Sequence, residues 1–265
     1  MVKFGCTSLG SYPDAIATAR LNKLDVYEVA CERARYPRSH VNTCGILVSI
    51  HGPYFISLTN NDKYIDNLNY VCRLVNAASQ IGADRVIIHS SLSTRKVSDY
   101  EVIVAHLSNF IDNIPELKRG SIKIALENPG NTNVYGSDLS ELLKVIATVP
   151  QIIPCIDVGH VSSASRGACR GRRYYEDIFN AMLRYFGEDY VMNSLHFHMS
   201  QQEFGNKGEL RHANFGDGYL PEIEPFIEFL VSLGKKCNAR VICESKSNLI
   251  KDTLTMKNKY LSLIR

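Results

Sequence analysis

The sequence has no tryptophan, no Cys-x-x-Cys pair, and no apolar run approaching the roughly 18 residues that a membrane-spanning helix needs. The first absence leaves any stacking on bases or substrates to 14 Tyr and 10 Phe. The second removes the usual redox and zinc-ribbon spacings from the eight cysteines, at 6, 31, 44, 72, 155, 169, 237 and 243. Cys6, Cys155 and Cys243 fall inside apolar strand-like runs, where a free thiol behaves as a small hydrophobe. Reduced thiols in an intracellular, non-secreted protein are the expectation, with no membrane association. The N-terminus opens directly into a strand pattern, without the basic flank and long apolar stretch of a secretory leader. Net charge is scarce too. Thirty Lys and Arg against 27 Asp and Glu leave a formal +3, so bulk charge says little about nucleic acid and its placement must decide. No linker or low-complexity segment interrupts the chain, so 1–265 reads as a single domain.

What is present is alternation. Strand patterns fall at 2–7, 25–30, 46–51, 85–89, 122–127, 152–156, 194–198 and 240–244. Helical patterns are predicted at 12–22, from near Asn60, and at 99–113, 139–147, 174–186, 220–233 and 249–263, with Pro115 closing the third. Asp138 and Glu141 have capping-box spacing, and Gly234 suits a C-terminal cap. Residues 31–44, 161–173 and 199–218 read as long loops. Eight strands, each but the second followed by a helix, predict an α/β fold of one closed (β/α)₈ TIM barrel.

In such a barrel the carboxyl ends of the strands share one face, and chemistry sits there. The strand ends carry His51, His89, Glu127, Asp157, His196 and Glu244, and the following loops add His160 and His212. A strand-end aspartate also serves to cap the next segment, and a lone strand-end histidine is often just a hydrogen-bonded core residue. Six of eight strands ending this way is hard to ascribe to packing, because unpaired buried carboxylates and imidazoles are costly and metals compensate them. Eight nitrogen and oxygen donors exceed the four of one tetrahedral zinc, which predicts a cluster of two or three ions with Glu127 placed to bridge two. Zinc is the first expectation, with manganese the alternative. His198 shares the face of His196 by strand periodicity and reads either as a ligand or as a supporting donor. His40 and His106 fall on a polar loop and a predicted helix surface and are left out.

Seven segments together resemble the endonuclease IV family of apurinic/apyrimidinic (AP) endonucleases. They are I-H-G-P-Y at 50–54, I-I-H-S at 87–90, A-L-E-N at 125–128, C-I-D-V-G-H at 155–160, L-H-F-H at 195–198, R-H-A-N-F-G-D-G at 211–218 and I-C-E-S at 242–245. The resemblance spans nearly the whole chain and implies three zinc ions. The first would be held by His51, His89 and Glu127. The second would share Glu127 and add Asp157, His196 and Glu244. The third would take His160, His212 and an aspartate two residues before His212. Leu210 stands at that position and Glu209 one residue earlier, so the third site is expected to be lost, weakened, or completed by Glu209 or water. The implied activity is zinc-dependent hydrolysis of the phosphodiester 5′ to an abasic site in double-stranded DNA, part of base-excision repair. Glu127 would be the catalytic bridging residue and the protein a monomer. Tyr54 stands where the family places a residue that enters the duplex.

Three basic clusters fall on loops of the predicted active face: Arg33, Arg35 and Arg38 around Tyr36; Arg166, Arg170, Arg172 and Arg173; and Lys207 with Arg211. Short basic clusters are often only solvated. Three of them on one face, in a chain of +3, suggest phosphate contacts. A divalent-metal sugar isomerase or epimerase on the same barrel is the rival reading, since Glu127, Asp157, His196 and Glu244 would serve one metal there, but it leaves His51 and His89 without a task. A non-catalytic binder of damaged DNA is the other rival.

Overall fold

The computed structural model describes residues 1–31, 35–37, 40–91 and 94–264. In chain order its elements are β1 (Lys3–Thr7), α1 (Tyr12–Leu21), β2 (Val26–Ala30), β3 (Leu47–His51), α2 (Tyr64–Ile81), β4 (Arg85–His89), α3 (Asp99–Asn113), α4 (Pro115–Lys118), β5 (Lys123–Glu127), α5 (Leu139–Thr148), β6 (Ile152–Asp157), α6 (Val158–Ala164), α7 (Arg172–Phe186), α8 (Glu188–Ser194), β7 (His196–Met199), β8 (Gln201–Gly205), β9 (Gly208–Ala213), α9 (Ile223–Ser232), β10 (Arg240–Cys243) and α10 (Leu249–Leu263). β1, β10, β7, β6, β5, β4, β3 and β2 pair in that order, all parallel, and close on themselves. This is the expected (β/α)₈ barrel, wound around one core.

The inward residues do not form a uniformly apolar plug. Ile87, Ala125, Ile153 and Cys155 make a small apolar layer inside the barrel. Arg85 and Arg240 are buried at the amino ends of their strands, where both bond Asp84. The main core lies between the strands and the helices, with Leu74, Phe110, Phe226 and Tyr260 fully buried. His106 belongs to that layer. It is buried against Tyr64 and Phe110, not on the helix surface that periodicity suggested.

Three departures from the sequence reading bear on the site. The segment 161–173 is not one loop: α6 runs straight on from β6, and Arg172 and Arg173 begin α7. Pro115 opens α4, where its missing N–H costs nothing, so it both ends α3 and starts the next turn. The segment 199–218 contains the antiparallel hairpin β8–β9, which lies across the carboxyl face. Backbone bonds tie that hairpin to the loop after β5: Glu209 N–H donates to Gly130 O at 3.0 Å and Thr132 N–H to Lys207 O at 3.0 Å. Gly208 adopts φ +100°, and a Cβ there would sit 2.3 Å from Gly130 O, so only glycine permits this docking.

Candidate metal centre

Strand register decides which polar residues meet. In β4 and β5, His89 is level with Glu127. In β6 and β7, Asp157 is level with His198, while His196 is level with Cys155, one inward rung deeper. His51 and Glu244 complete the upper ring from the ends of β3 and β10. The expected assignment of His196 to the second ion is therefore corrected. The group whose donor atoms lie within 4.8 Å of one another is Glu127, Asp157, His198 and Glu244. His51, His89 and Glu127 form a second group, and His160, Glu209 and His212 a third, by the same distance. Glu127 is common to the first two.

Contacts around each ring fix its orientation. His51 Nδ1 faces the Gly52 carbonyl at 2.8 Å, leaving Nε2 2.9 Å from Glu127 Oε2. His160 Nδ1 faces the Asn128 carbonyl at 2.9 Å, leaving Nε2 3.1 Å from Glu209 Oε2. His212 Nδ1 faces the Glu244 carbonyl at 2.6 Å, leaving Nε2 3.1 Å from Glu209 Oε1. A neutral ring that donates one N–H to a carbonyl presents a lone pair from the other nitrogen, which is how protein metal ligands are held. Asp157 has one oxygen partnered and one free of hydrogen bonds. Its Oδ1 caps α6 by accepting from His160 N–H at 2.7 Å, and its Oδ2 is buried without a hydrogen-bond partner. Asn128 locks the strand ends together, donating to Asp157 O at 3.1 Å and accepting from Asp157 N–H at 2.8 Å.

The third group brings Glu209 to His160 and His212, one of the alternatives that Leu210 left open. Along β9, Arg211 pairs with Glu203 and Glu209 with Phe204, so Leu210 is an extra residue with no opposite number. Such a bulge adds one residue to the alternation of faces. His212 and Glu209, three apart, then face the same way, and Leu210 is turned out, 65% exposed. The carboxylate expected two residues before His212 is supplied three residues before it. Gly130 leaves the necessary space, since a Cβ there would lie 2.6 Å from Glu209 Oε2 and 2.8 Å from His160 Cδ2.

The electrostatics are those of a site that needs positive charge. Glu127, Asp157, Glu209 and Glu244 converge, and among the described residues none is ion-paired to Lys or Arg. Burial alone would raise Glu127, but His89, His198 and His51 hold it well below the usual carboxylate range. Burial opposes protonation of His51, yet Glu127 pushes it up to about 9. His212 rises to about 9 against its burial, through Glu209 and Glu244. His160 is raised well above the ordinary range, Asp157 and Glu209 outweighing burial. His89 goes the other way, to about 4, because burial wins over Glu127. Its Nδ1 is a second buried atom without a hydrogen-bond partner, 3.5 Å from Glu127 Oε2. Unpartnered donors aimed at carboxylates, with oriented imidazoles around them, fit divalent cations bound by nitrogen and oxygen. Cys155, His196 and His198 also approach one another, and burial raises the Cys155 thiol.

The centre floors a cavity of about 590 Å³ whose walls include Thr7, Tyr54, Asn131, Arg211 and Lys246. Tyr54 is 62% exposed at its rim. Arg211, also at the rim, is paired with Glu203 at 2.6 Å. Lys246, two residues beyond Glu244, was not singled out from the sequence, although a lysine so near a strand-end carboxylate was a readable signal. Arg166, Arg170, Arg172 and Arg173 are all exposed, but none lines this cavity, and Arg172 is paired with Glu176 at 2.6 Å. Arg35 is exposed and also outside the lining, while Arg33 and Arg38 lie outside the described residues. Among the described residues, no helix is long and apolar enough to cross a membrane. All eight cysteines are free.

An uncharacterised protein of Methanocaldococcus jannaschii is 25% identical over 207 residues, spanning 76% of this chain and 72% of its own. Apurinic-apyrimidinic endonuclease 1 of Saccharomyces cerevisiae is 29% identical over 180 residues, 64% of this chain but less than half, 46%, of the yeast protein. Among solved structures, endonuclease IV from Thermus thermophilus superposes with a TM-score of 0.72 at 15% identity, covering 98% of this chain and 99% of that one. A D-tagatose 3-epimerase-like protein superposes with a TM-score of 0.70 at 19% identity, covering 99% and 98%. At these identities the two structures establish the fold, and their different activities leave the chemistry to the site. Residues 15–258 match the family model of the xylose isomerase-like TIM barrel, and the chain belongs to that family.

Proposed function

We propose that this protein is a zinc-dependent AP endonuclease that hydrolyses the phosphodiester 5′ to an abasic site in double-stranded DNA, acting as a monomer. The observation that carries the reading is the number of donor groups. Beside Glu127, Asp157, His198 and Glu244 stand two more sets, His51 and His89 with the shared Glu127, and His160 with Glu209 and His212. Ions held there would activate water and neutralise charge on the phosphate, which is what phosphodiester hydrolysis asks of a multi-metal site. Glu127 is the residue proposed to bridge two ions. The protein's remaining residues would position the strand. Arg211 and Lys246 at the rim meet backbone phosphates, and Tyr54 projects toward the duplex at the lesion. An abasic nucleotide leaves the stack at low cost, so the cavity can receive it.

The test is nicking of a duplex carrying one abasic analogue, with and without chelator, together with metal content per chain. Chelator-sensitive nicking at the lesion with two or three ions supports the proposal. One ion and no nicking would favour an isomerase or epimerase, and lesion binding without nicking a non-catalytic binder.

A further inference from the structure

One rung below His198 lies a carboxylate in the middle of a strand. Glu28 of β2 is fully buried, level with Thr7 of β1 and Ser49 of β3. Ser49 Oγ donates to its Oε2 at 2.7 Å. His196 Nε2 is 3.1 Å from Oε2, and His198 Nε2 is 2.9 Å from Oε1. Both ring nitrogens and Glu28 Oε1 are buried without a hydrogen bond, and the close approaches to Glu28 are ion-pair contacts. On the far side of His196, Arg85 Nη1 approaches Nδ1 at 3.5 Å. On the far side of His198, Nδ1 is 3.1 Å from Glu127 Oε1 and 3.6 Å from Glu244 Oε2.

These contacts agree on one arrangement of protons. A guanidinium only donates, so His196 Nδ1 is the acceptor and its Nε2 carries the hydrogen. The Glu28 carboxylate only accepts, and it faces the Ser49 hydroxyl and two ring N–H groups. In the neutral ring, with its proton on Nε2, the Nδ1 lone pair of His198 lies on the side of Glu127, Asp157 and Glu244, where a cation among them would meet it. His51, His160 and His212 use backbone carbonyls for this purpose because they stand at or beyond strand ends. A histidine inside the barrel has no such choice, since the strand carbonyls around it are committed to the sheet.

We propose that Glu28, with Ser49 and His196, is the positioning device of the centre. It fixes the tautomer and ring orientation of His198 and so makes Nδ1 a ligand. This rests on reading the upper cluster as a metal centre. Glu28 does not line the cavity, so it acts through His198 and not on a substrate. His196, expected as a ligand, is here the second arm of the clamp.

The test uses cobalt(II) as the metal, with affinity measured by chelator competition and ligation by the visible absorption of the bound ion. In Glu28→Gln the amide cannot accept from both rings. One cobalt is expected to bind roughly 10- to 100-fold more weakly, with a changed spectrum, as on loss of a carboxylate behind a ligating histidine. If Glu28→Gln fails to fold, Glu28→Asp, which withdraws the charge by a methylene, is expected to give the same loss. A role in packing alone would lower the melting temperature of the metal-free variant and leave cobalt affinity and spectrum at parental values, which would overturn the proposal. A parent that binds no cobalt would overturn the metal-centre reading itself, a result distinct from a parent that binds and a variant that is unchanged.

Discussion

Glu209→Gln is the substitution that most directly tests how the third group is built. The carboxylate reaches both His160 Nε2 and His212 Nε2 at 3.1 Å, and its side chain is 23% exposed. The amide keeps the shape and removes the charge. Breaking a buried charge pair by removing one partner costs about 3–5 kcal/mol. Partial exposure places Glu209 at the low end, about 3 kcal/mol, or roughly 100-fold in retention of an ion. The assay is metal stoichiometry after identical dialysis of parent, Glu209→Gln and Leu210→Asp against a mild chelator. The parent is expected to keep the ion that Glu209→Gln loses. Leu210→Asp is expected to match the parent, because the bulge turns residue 210 away from the two histidines. If Leu210→Asp holds an ion that the parent loses, or Glu209→Gln keeps as many as the parent, the bulge argument is refuted.

Glu127→Gln removes the charge shared by two groups and is expected to cut strand cleavage by at least about 100-fold, on the scale of losing a preorganised electrostatic group; cleavage within tenfold of the parent would remove its bridging role. Metal binding should release protons, because His51 and His212 titrate near 9 without metal and must be neutral to ligate. Affinity is then expected to rise with pH from the ordinary histidine range up to about 9, and calorimetry in buffers of different ionisation enthalpy at pH 7.5 should detect about two or more protons released. Affinity that does not change over this range would show that these rings are not displaced by the ion. Binding to an abasic duplex should weaken steeply with salt; replacing Arg211 and Lys246 by Ala is expected to reduce the log–log slope by up to about 2 units, and replacing Arg166, Arg170, Arg172 and Arg173 by up to about 4 if all meet flanking phosphates. A slope unchanged by both sets would mean that neither contacts DNA.

Much of the barrel was legible because its strands and helices differ in period. The pattern predicted 85–89, 99–113 and 249–263 with the bounds that the structure gives. The hidden elements carry weak local signals. V-G-H-V-S-S-A has one glycine and two serines in seven residues, a poor helix by propensity, yet Asp157 caps it and its residues are mostly buried. The hairpin turns at Asn206 and Lys207 between two glycines, a turn signal that the surrounding polar residues obscured. At the site, the residue types were readable from strand ends, but depth along a strand was not. His196 and His198 share a face by periodicity, and only pairing with β6 places His198 beside Asp157. Glu28 escaped for the same reason, standing mid-strand in D-V-Y-E-V-A where a search of strand ends does not look.

Local construction also bears on which chemistry the barrel performs. The single-ion isomerase reading needs only Glu127, Asp157, His198 and Glu244, which lie together. The protein builds more than that. A bulge at Leu210 re-aims Glu209, and backbone bonds from Gly130 and Thr132 seat the hairpin that carries it. Three further histidines are locked by backbone carbonyls so that their free nitrogens face carboxylates. A bulge disrupts its ladder, and a convergent carboxylate raises the electrostatic cost of its neighbours. Devices of this kind would lower stability without return in a one-ion site. They are accounted for if His51, His89, His160, Glu209 and His212 hold ions of their own, and hydrolysis of a phosphodiester, with charge spread over several oxygens, is one reaction that multi-metal sites perform.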